Sequence, residues 1–445
     1  MTNVLVTKEQ MANWKEIFKK NPGTTQTEEG SIAMPFKRLG TVDNLVQKTR
    51  GDRVIWAIVI LLTLASLLLV YSSTGSLAYR MSKSNESYLF KQFAFIILGL
   101  IIIYFAHRIN YTIYSKVARI LFLISIPLLL YTLFFGVQLN SGSRWIKLPV
   151  INMTFQTSDL AKLALFMYLS RMLSRKQQVI KDFKKGFLPI IIPVALICLL
   201  IAPANLSTAI LIGGTSLLLM FIGRVSLKHI GLTIAIAMIP VVLLIAVAVS
   251  TYDKEAGESK KLPAVLSSGR IPTWISRIQT FVYSSKGNDG EKTYQIDQAK
   301  IAIANGGFLG AGPGNSHARN YLPHSYSDFI YAIIIEEYGL IGGAAILFIY
   351  LLFLLRCIRI YRKCPYAFGA FLALALSFML VIQAIANMGV NVNLFPNTGV
   401  TLPLVSMGGS SFLFTCLSIG IILSVARNVE QQEGQQIAAA KPVVA

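Results

Sequence analysis

Charge is scarce in this chain: Asp, Glu, Lys and Arg make up 14% of its 445 residues, against 54% hydrophobic, and the mean hydropathy is +0.60. That deficit excludes an ordinary soluble domain. Uncharged runs of about 20 residues recur, each enough to cross a ~30 Å hydrocarbon core, so the fold class is an all-α polytopic membrane protein. Acidic residues are scarcer still, 20 against 41 Lys and Arg, which leaves a net charge of +21. A nucleic-acid surface would need that excess in a patch. It is instead spread over the ends of alternate apolar runs, as the positive-inside rule expects, and no nucleic-acid partner follows from it. Cysteine is rare as well: Cys198, Cys357, Cys364 and Cys416 have neither metal-ligand spacing nor the pattern of a disulfide framework. No signal peptide is recognisable ahead of the first apolar run near Val54, so the first span is expected to act as its own insertion signal.

Ten spans are expected, at about 54–73, 89–106, 118–136, 158–172, 187–203, 206–223, 230–250, 328–355, 367–387 and 409–426. Basic residues crowd the loops around Arg108–Arg119, Arg171–Lys185, Arg224–Lys228 and Arg356–Lys363, which makes that side cytoplasmic and puts both termini on it. The chain then divides into a cytoplasmic tail (1–52, with a short helix expected at Lys8–Lys19), spans 1–7 (53–250), a long outer loop (251–327), spans 8–10 (328–427) and a second cytoplasmic tail (428–445). Long loops translocate regardless of charge, so the mixed charge of 251–327 does not conflict with this topology. Within the loop a helix is expected at Thr293–Ile303 and turns from Asn305 to Ser316.

Polar residues at membrane depth then become informative. The longest such stretch runs from Tyr294 through the glycines at 306, 307, 310, 312 and 314 to Asn315, Ser316 and Asp328, where the eighth span opens. The glycines allow close backbone approach to a ligand or simply make turns. Asp328 is either a helix N-cap or a site carboxylate. His317 and His324 flank the loop without metal-ligand spacing. Glu336 and Glu337 lie ~12 Å deeper along the same helix, and intramembrane acids need a protein partner or mark a site. Gln156-Thr-Ser-Asp159-Leu-Ala-Lys162 opens the fourth span with an acid and a base on one helix face, either a snorkelling lysine held by an aspartate or part of a cavity. Arg144 beside Trp145 is an interfacial anchor or a cation for an anionic headgroup. Asn205 suits a tight turn. Asn387 to Ser411 is rich in Gly and Pro and carries Ser406 and Ser410; such a stretch is tolerated in a membrane where it lines a cavity or is buried in protein. The helix beginning at Gly408-Gly409-Ser410-Ser411 could attract phosphate with its positive end.

In this order the blocks Arg144-Trp-Ile, Gln156-x-Ser-Asp-x-x-Lys162, Tyr294-Gln, Gly306-Gly with Gly310-x-Gly312-x-Gly-Asn-Ser316, Leu322-Pro with Ser327-Asp-Phe-Ile, Glu336-Glu-x-Gly and Pro396-x-Thr-Gly-x-x-Leu-Pro-x-x-Ser-x-Gly-Gly-Ser-Ser411 resemble the SEDS family, the bacterial shape, elongation, division and sporulation proteins. Asn315-Ser316 looks more like the division branch (FtsW) than the elongation branch (RodA). The resemblance implies an inverting peptidoglycan glycosyltransferase that polymerises lipid II at the outer face of the cytoplasmic membrane. It puts the essential carboxylate on Asp328, and the Gln156–Lys162 block and the last outer loop around the substrate. It also implies a class B penicillin-binding transpeptidase as partner, within a division complex at the septum. The chain departs from the family pattern in three places: Pro323-His-Ser-Tyr-Ser-Asp328 stands for Pro-Glu-x-His-Thr-Asp, Gln156-Thr-Ser-Asp159 for Gln-Pro-Ser-Glu, and Ala204-Asn205-Leu-Ser-Thr208 for Pro-Asp-x-Gly-Thr. In the expected reaction Asp328 is the base, while Arg144, Lys162 or a divalent cation such as Mg2+ neutralises the departing pyrophosphate. Asn315, Ser316, Glu336, Ser406 and Ser410 are expected substrate-side residues with Trp145, Gln156 and Asp159. A flippase for the same lipid, or a scaffold that activates the transpeptidase, are the rival functions.

Overall fold

The computed structural model describes residues 51–75, 85–139, 142–147, 154–252, 270–283, 290–322 and 325–440. The tail helix expected at Lys8–Lys19 lies outside them. Helices dominate: α1 (Arg53–Ser73), α2 (Asn85–Arg108), α3 (Tyr111–Phe135), α4 (Thr157–Arg175), α5 (Leu188–Ile201), α6 (Leu206–Ile222), α7 (Leu227–Ser250), α8 (Ile271–Tyr283), α9 (Gly290–Gly306), α10 (Ile330–Lys363), α11 (Ala367–Asn391) and α12 (Ser410–Ala440).

Each of the ten expected spans coincides with one of these helices. Among the described residues, however, eight helices are long and apolar enough to cross a membrane, not ten. The exceptions have plain causes: α6 has only 17 residues, and α4 carries Asp159, Lys162, Arg171 and Arg175 within its 19. Burial sorts the spans. The apolar window of α11 is 78% buried and that of α12 is 72%, against 6% for α7, so α11 is the centre of the bundle and α7 an outer, lipid-facing helix. Around α11 pack α4, α6, α10 and α12.

Polar caps fix where helices start. Asp52 accepts from the Val54 and Ile55 backbone N–H groups at 2.9 and 3.3 Å, and its other oxygen meets Arg356 Nη2 at 2.7 Å, tying the start of α1 to the far part of α10. Asn110 and Asn205 cap α3 and α6 in the same way.

Two features go beyond the expected loops. Residues 137–156 contain a three-stranded antiparallel sheet, β1 (Val137–Leu139), β2 (Gly142–Lys147) and β3 (Thr154–Gln156), with Trp145 of β2 opposite Val137 and Gln156. β3 runs directly into α4, so the sheet sets the entry of that helix. In the long loop, α9 covers the helix expected at Thr293–Ile303, and α8 is an additional one.

The glycine-rich segment has a structural role. Helix α10 is interrupted at Gly339 (φ 69°, ψ −174°), and the chain from Gly306 to Gly312 lies in the gap. Ala311 N–H donates to Glu336 O at 2.8 Å, Gly312 N–H to Glu337 O at 3.0 Å, and Leu340 N–H to Gly307 O at 2.9 Å, so the loop satisfies groups the break would orphan. A Cβ at Gly310 (φ +84°) would stand 2.2 Å from Glu337 O, and one at Gly339 2.1 Å from Phe308 O. Only glycine permits that approach.

Candidate active site

A cavity of about 440 Å3 opens where the Asn387–Ser411 stretch meets the starts of several helices. α4 begins there behind Gln156, α6 behind Asn205, α12 at Ser410–Ser411, and α10 just after Asp328. Each helix N-terminus carries roughly half a positive charge, so converging N-termini favour an anionic occupant.

Side chains add to this field. Lys162 pairs with Asp159 at 2.8 Å and donates to Gln383 Oε1 at 3.1 Å; Gln383 in turn donates to Thr401 O at 3.0 Å. The chain of bonds links α4 through α11 to the Gly/Pro-rich stretch, and it holds the ammonium in the wall rather than letting it snorkel outward. Asp159 is 4% exposed, and its Oδ2 has no hydrogen-bond partner. Arg270 and Arg277 line the opposite part from α8 and its lead-in. Arg270 Nη1 donates to Ala204 O, which anchors α8 to the turn before α6. Burial pulls the Arg277 guanidinium below its usual pKa and the charge of Arg270 adds to this, while the negative charge of Asp328 works against it.

Asp328 also lines the cavity. The cap position of α10 falls on Phe329, which makes no side-chain cap bond, so Asp328 stands ahead of the cap. Its backbone is held tightly: Asn387 Nδ2 and Asn391 Nδ2 both donate to Asp328 O, at 2.8 and 3.0 Å. Gly399 stands beside the carboxylate, where a Cβ would lie 3.4 Å from Oδ2. The neighbouring Tyr326 hydroxyl is raised in pKa by burial first, then by the charges of Tyr88 and Asp328.

The structure thus brings together Trp145, Gln156, Lys162, Ser410 and Asp328 of the residues marked in the sequence, with Asp159 directly behind Lys162. Gln156 N–H donates to Ser410 Oγ at 3.0 Å, joining β3 to the start of α12. Arg144 lies in β2, its side chain outside the described residues. Ser406 is buried beside the cavity wall, accepting from Leu402 N–H at 2.8 Å and donating to Ser327 O at 2.6 Å. Glu336, Ser316 and Asn315 are elsewhere. Ser316 Oγ donates to Glu336 Oε2, and His317 and Ala318 N–H donate to Oε1 at 3.1 and 3.2 Å, so this acid fastens the loop. Asn315 is exposed and donates to Ala311 O at 3.1 Å. Gln383 was not marked; its signal is a lone amide inside an apolar run. Among the described residues no three His, Cys, Asp or Glu side chains cluster as metal ligands.

The Cell cycle protein family (FTSW_RODA_SPOVE) matches residues 52–431. The chain belongs to this family. It is 32% identical over 391 residues to the probable peptidoglycan glycosyltransferase FtsW of Geobacter metallireducens, covering 87% of this chain and 97% of that protein. To the stage V sporulation protein E of Bacillus subtilis it is 32% identical over 387 residues, covering 86% and 98%. Among solved structures, one described as structural coordination of polymerization and crosslinking by a peptidoglycan synthase complex matches with a TM-score of 0.63 at 22% identity, covering 86% of this chain and 99% of that one. The rod shape determining protein RodA of Thermus thermophilus matches with a TM-score of 0.57 at 21% identity, covering 85% and 97%. These two share the family's helical membrane fold.

Proposed function

We propose that this protein is a peptidoglycan glycosyltransferase of the FtsW kind, polymerising lipid II at the outer face of the cytoplasmic membrane during division. The observation that carries the reading is one carboxylate, Asp328, sharing a cavity with Lys162, Arg270 and Arg277 at the convergence of helix N-termini. The family and the relatives named FtsW supply the reaction class.

In that reaction the acceptor sugar hydroxyl attacks the anomeric carbon of an α-linked pyrophosphate donor and inverts it. Asp328 takes the hydroxyl proton as the new bond forms, and the bond to the pyrophosphate oxygen breaks with its electron pair leaving on the pyrophosphate. Lys162, Arg270, Arg277 and the helix ends meet the growing charge without needing to reorganise. Arg144 is a further cation for the same leaving group. Asp159 holds Lys162 in place, Asn387 and Asn391 hold the Asp328 backbone, and Trp145 and Gln156 form the sheet-side wall. The polyprenyl tails stay in lipid. A Mg2+ ion commonly takes one or two carboxylates plus substrate phosphates, and Asp328 is the lining carboxylate, among the described residues, that would ligate it. Such an ion would add charge neutralisation.

A class B penicillin-binding transpeptidase is the proposed partner, supported by the similarity to a protein of a peptidoglycan synthase complex. Both termini are proposed to be cytoplasmic and the protein to work at the septum. The test is purified protein given lipid II, alone and with the transpeptidase. Glycan strands are expected. Lipid transport across liposomes without strands would instead establish a flippase, and transpeptidase activation without either would establish a scaffold.

A further inference from the structure

At the other end of the bundle a second, smaller cavity of about 90 Å3 lies between α2, α3 and α12, lined by His107, Arg108, Ile109, Asn110, Arg427 and Asn428 among others. Arg427 is 17 residues beyond Ser410, ~25 Å along α12, so this cavity sits at the opposite membrane face from Asp328. The space suffices for several water-sized groups.

Its chemistry is incomplete as it stands. His107 is 1% exposed and its imidazole faces the Ile103 and Tyr104 backbone of its own helix, whereas the buried Asn428 Oδ1 has no hydrogen-bond partner. Buried polar atoms are normally paired, so this orphaned acceptor in the cavity lining marks a place for an external donor. The imidazole is fixed from behind, with Trp56 edge-on at 5.5 Å and Tyr104 at 5.4 Å. Arg108 is held over the Tyr104 ring at 5.0 Å, and Arg427 Nη1 donates to Arg108 O at 3.2 Å. Two fixed guanidinium groups and the capped start of α3 favour a negative charge. The orphaned Asn428 Oδ1 calls for a hydroxyl donor on the same ligand. Ile109 and Ile113, exposed and one turn apart, offer apolar surface beside the opening.

We infer that this cavity binds the headgroup of an anionic phospholipid that carries both a phosphodiester and free hydroxyls, of the phosphatidylglycerol type. The phosphodiester lies against Arg108 and Arg427, a glycerol hydroxyl donates to Asn428 Oδ1, and the acyl chains run over Ile109 and Ile113. Basic pockets between membrane helices are suited to such headgroups. The site is separate from the glycosyltransferase cavity and does not depend on that assignment.

Native mass spectrometry of the full-length protein in detergent tests this, with phosphatidylglycerol, phosphatidylethanolamine and glycerol 1-phosphate as probes. Phosphatidylglycerol is expected to be retained preferentially, and the Arg108→Gln/Arg427→Gln pair to weaken it on the order of tenfold, the equivalent of one charge-assisted hydrogen bond. Asn428→Asp keeps the side-chain size, sets a like charge against the phosphate, and is expected to weaken it similarly; it carries the test if the double variant does not fold. Lys363→Gln alters another cation, one paired with Glu433 at 3.0 Å, and should leave retention unchanged. Equal retention of phosphatidylethanolamine, or unchanged retention in both site variants, would overturn the inference. Binding of glycerol 1-phosphate as tight as the lipid would overturn the lipid as the source of the headgroup.

Discussion

Asp328 and Glu336 stand eight residues apart at the start of one helix, both acids at membrane depth, and their surroundings differ completely. Glu336 is 1% exposed and accepts from a serine hydroxyl and two backbone N–H groups of the loop it fastens. Asp328 has its backbone carbonyl clamped by two asparagines, while its side chain lines a cavity edged by lysine and arginines. A membrane-depth acid surrounded by donors from its own fold holds structure together. One whose carboxylate lines a cavity edged by cations is placed to meet a ligand.

This contrast can be broken or sharpened by substitution. The largest effect is expected from Asp328→Asn, a loss of ~10^2–10^4-fold in strand synthesis with unchanged unfolding temperature, as removal of a general base predicts; lipid II polymerisation and a thermal melt read the two. Next comes Asp159→Asn, which leaves the part-buried Lys162 ammonium on the cavity wall with Gln383 as its remaining partner. Breaking a fully buried pair costs about 3–5 kcal/mol and the cavity's access to Lys162 lessens that, so both the melting temperature and the rate should fall by a smaller step. Glu336→Gln should cost about 1–3 kcal/mol in unfolding measurements and make the Gly306–Asn320 segment easier to cleave by protease, while the folded fraction keeps polymerising. Asn315→Ala removes an exposed side chain with one local bond. It should change stability by less than about 0.5 kcal/mol and leave strand synthesis intact.

Much of this was legible in the sequence because membranes make polar residues conspicuous. Asp328, Lys162 and Asp159 stood out against apolar runs, and the pair formed as helical spacing requires. Other features depend on partners distant in sequence. Glu336 looked like a site residue because nothing in its own helix could satisfy it; its donors come from the Ser316–Ala318 turn. For the glycines at 306–312 the sequence leaves ligand approach and plain turns both open; they fill the break at Gly339, which no local pattern announces. The sheet at 137–156 is built from strands of three to six residues, too short for an alternating pattern to show. Arg270 and Arg277 belong to the long outer loop that leads to Asp328, and it is α8 that sets them on the cavity wall. Gln383 was overlooked because a single amide barely interrupts α11, although it links Lys162 to the stretch that faces Asp328.

The most direct measurement runs Asp328→Asn and Glu336→Gln side by side in one lipid II polymerisation assay, with each rate divided by the folded fraction. The account predicts the ~10^2–10^4-fold loss of strands from Asp328→Asn although it is fully folded, and strands from Glu336→Gln in proportion to what is folded. Wild-type synthesis by Asp328→Asn would contradict it.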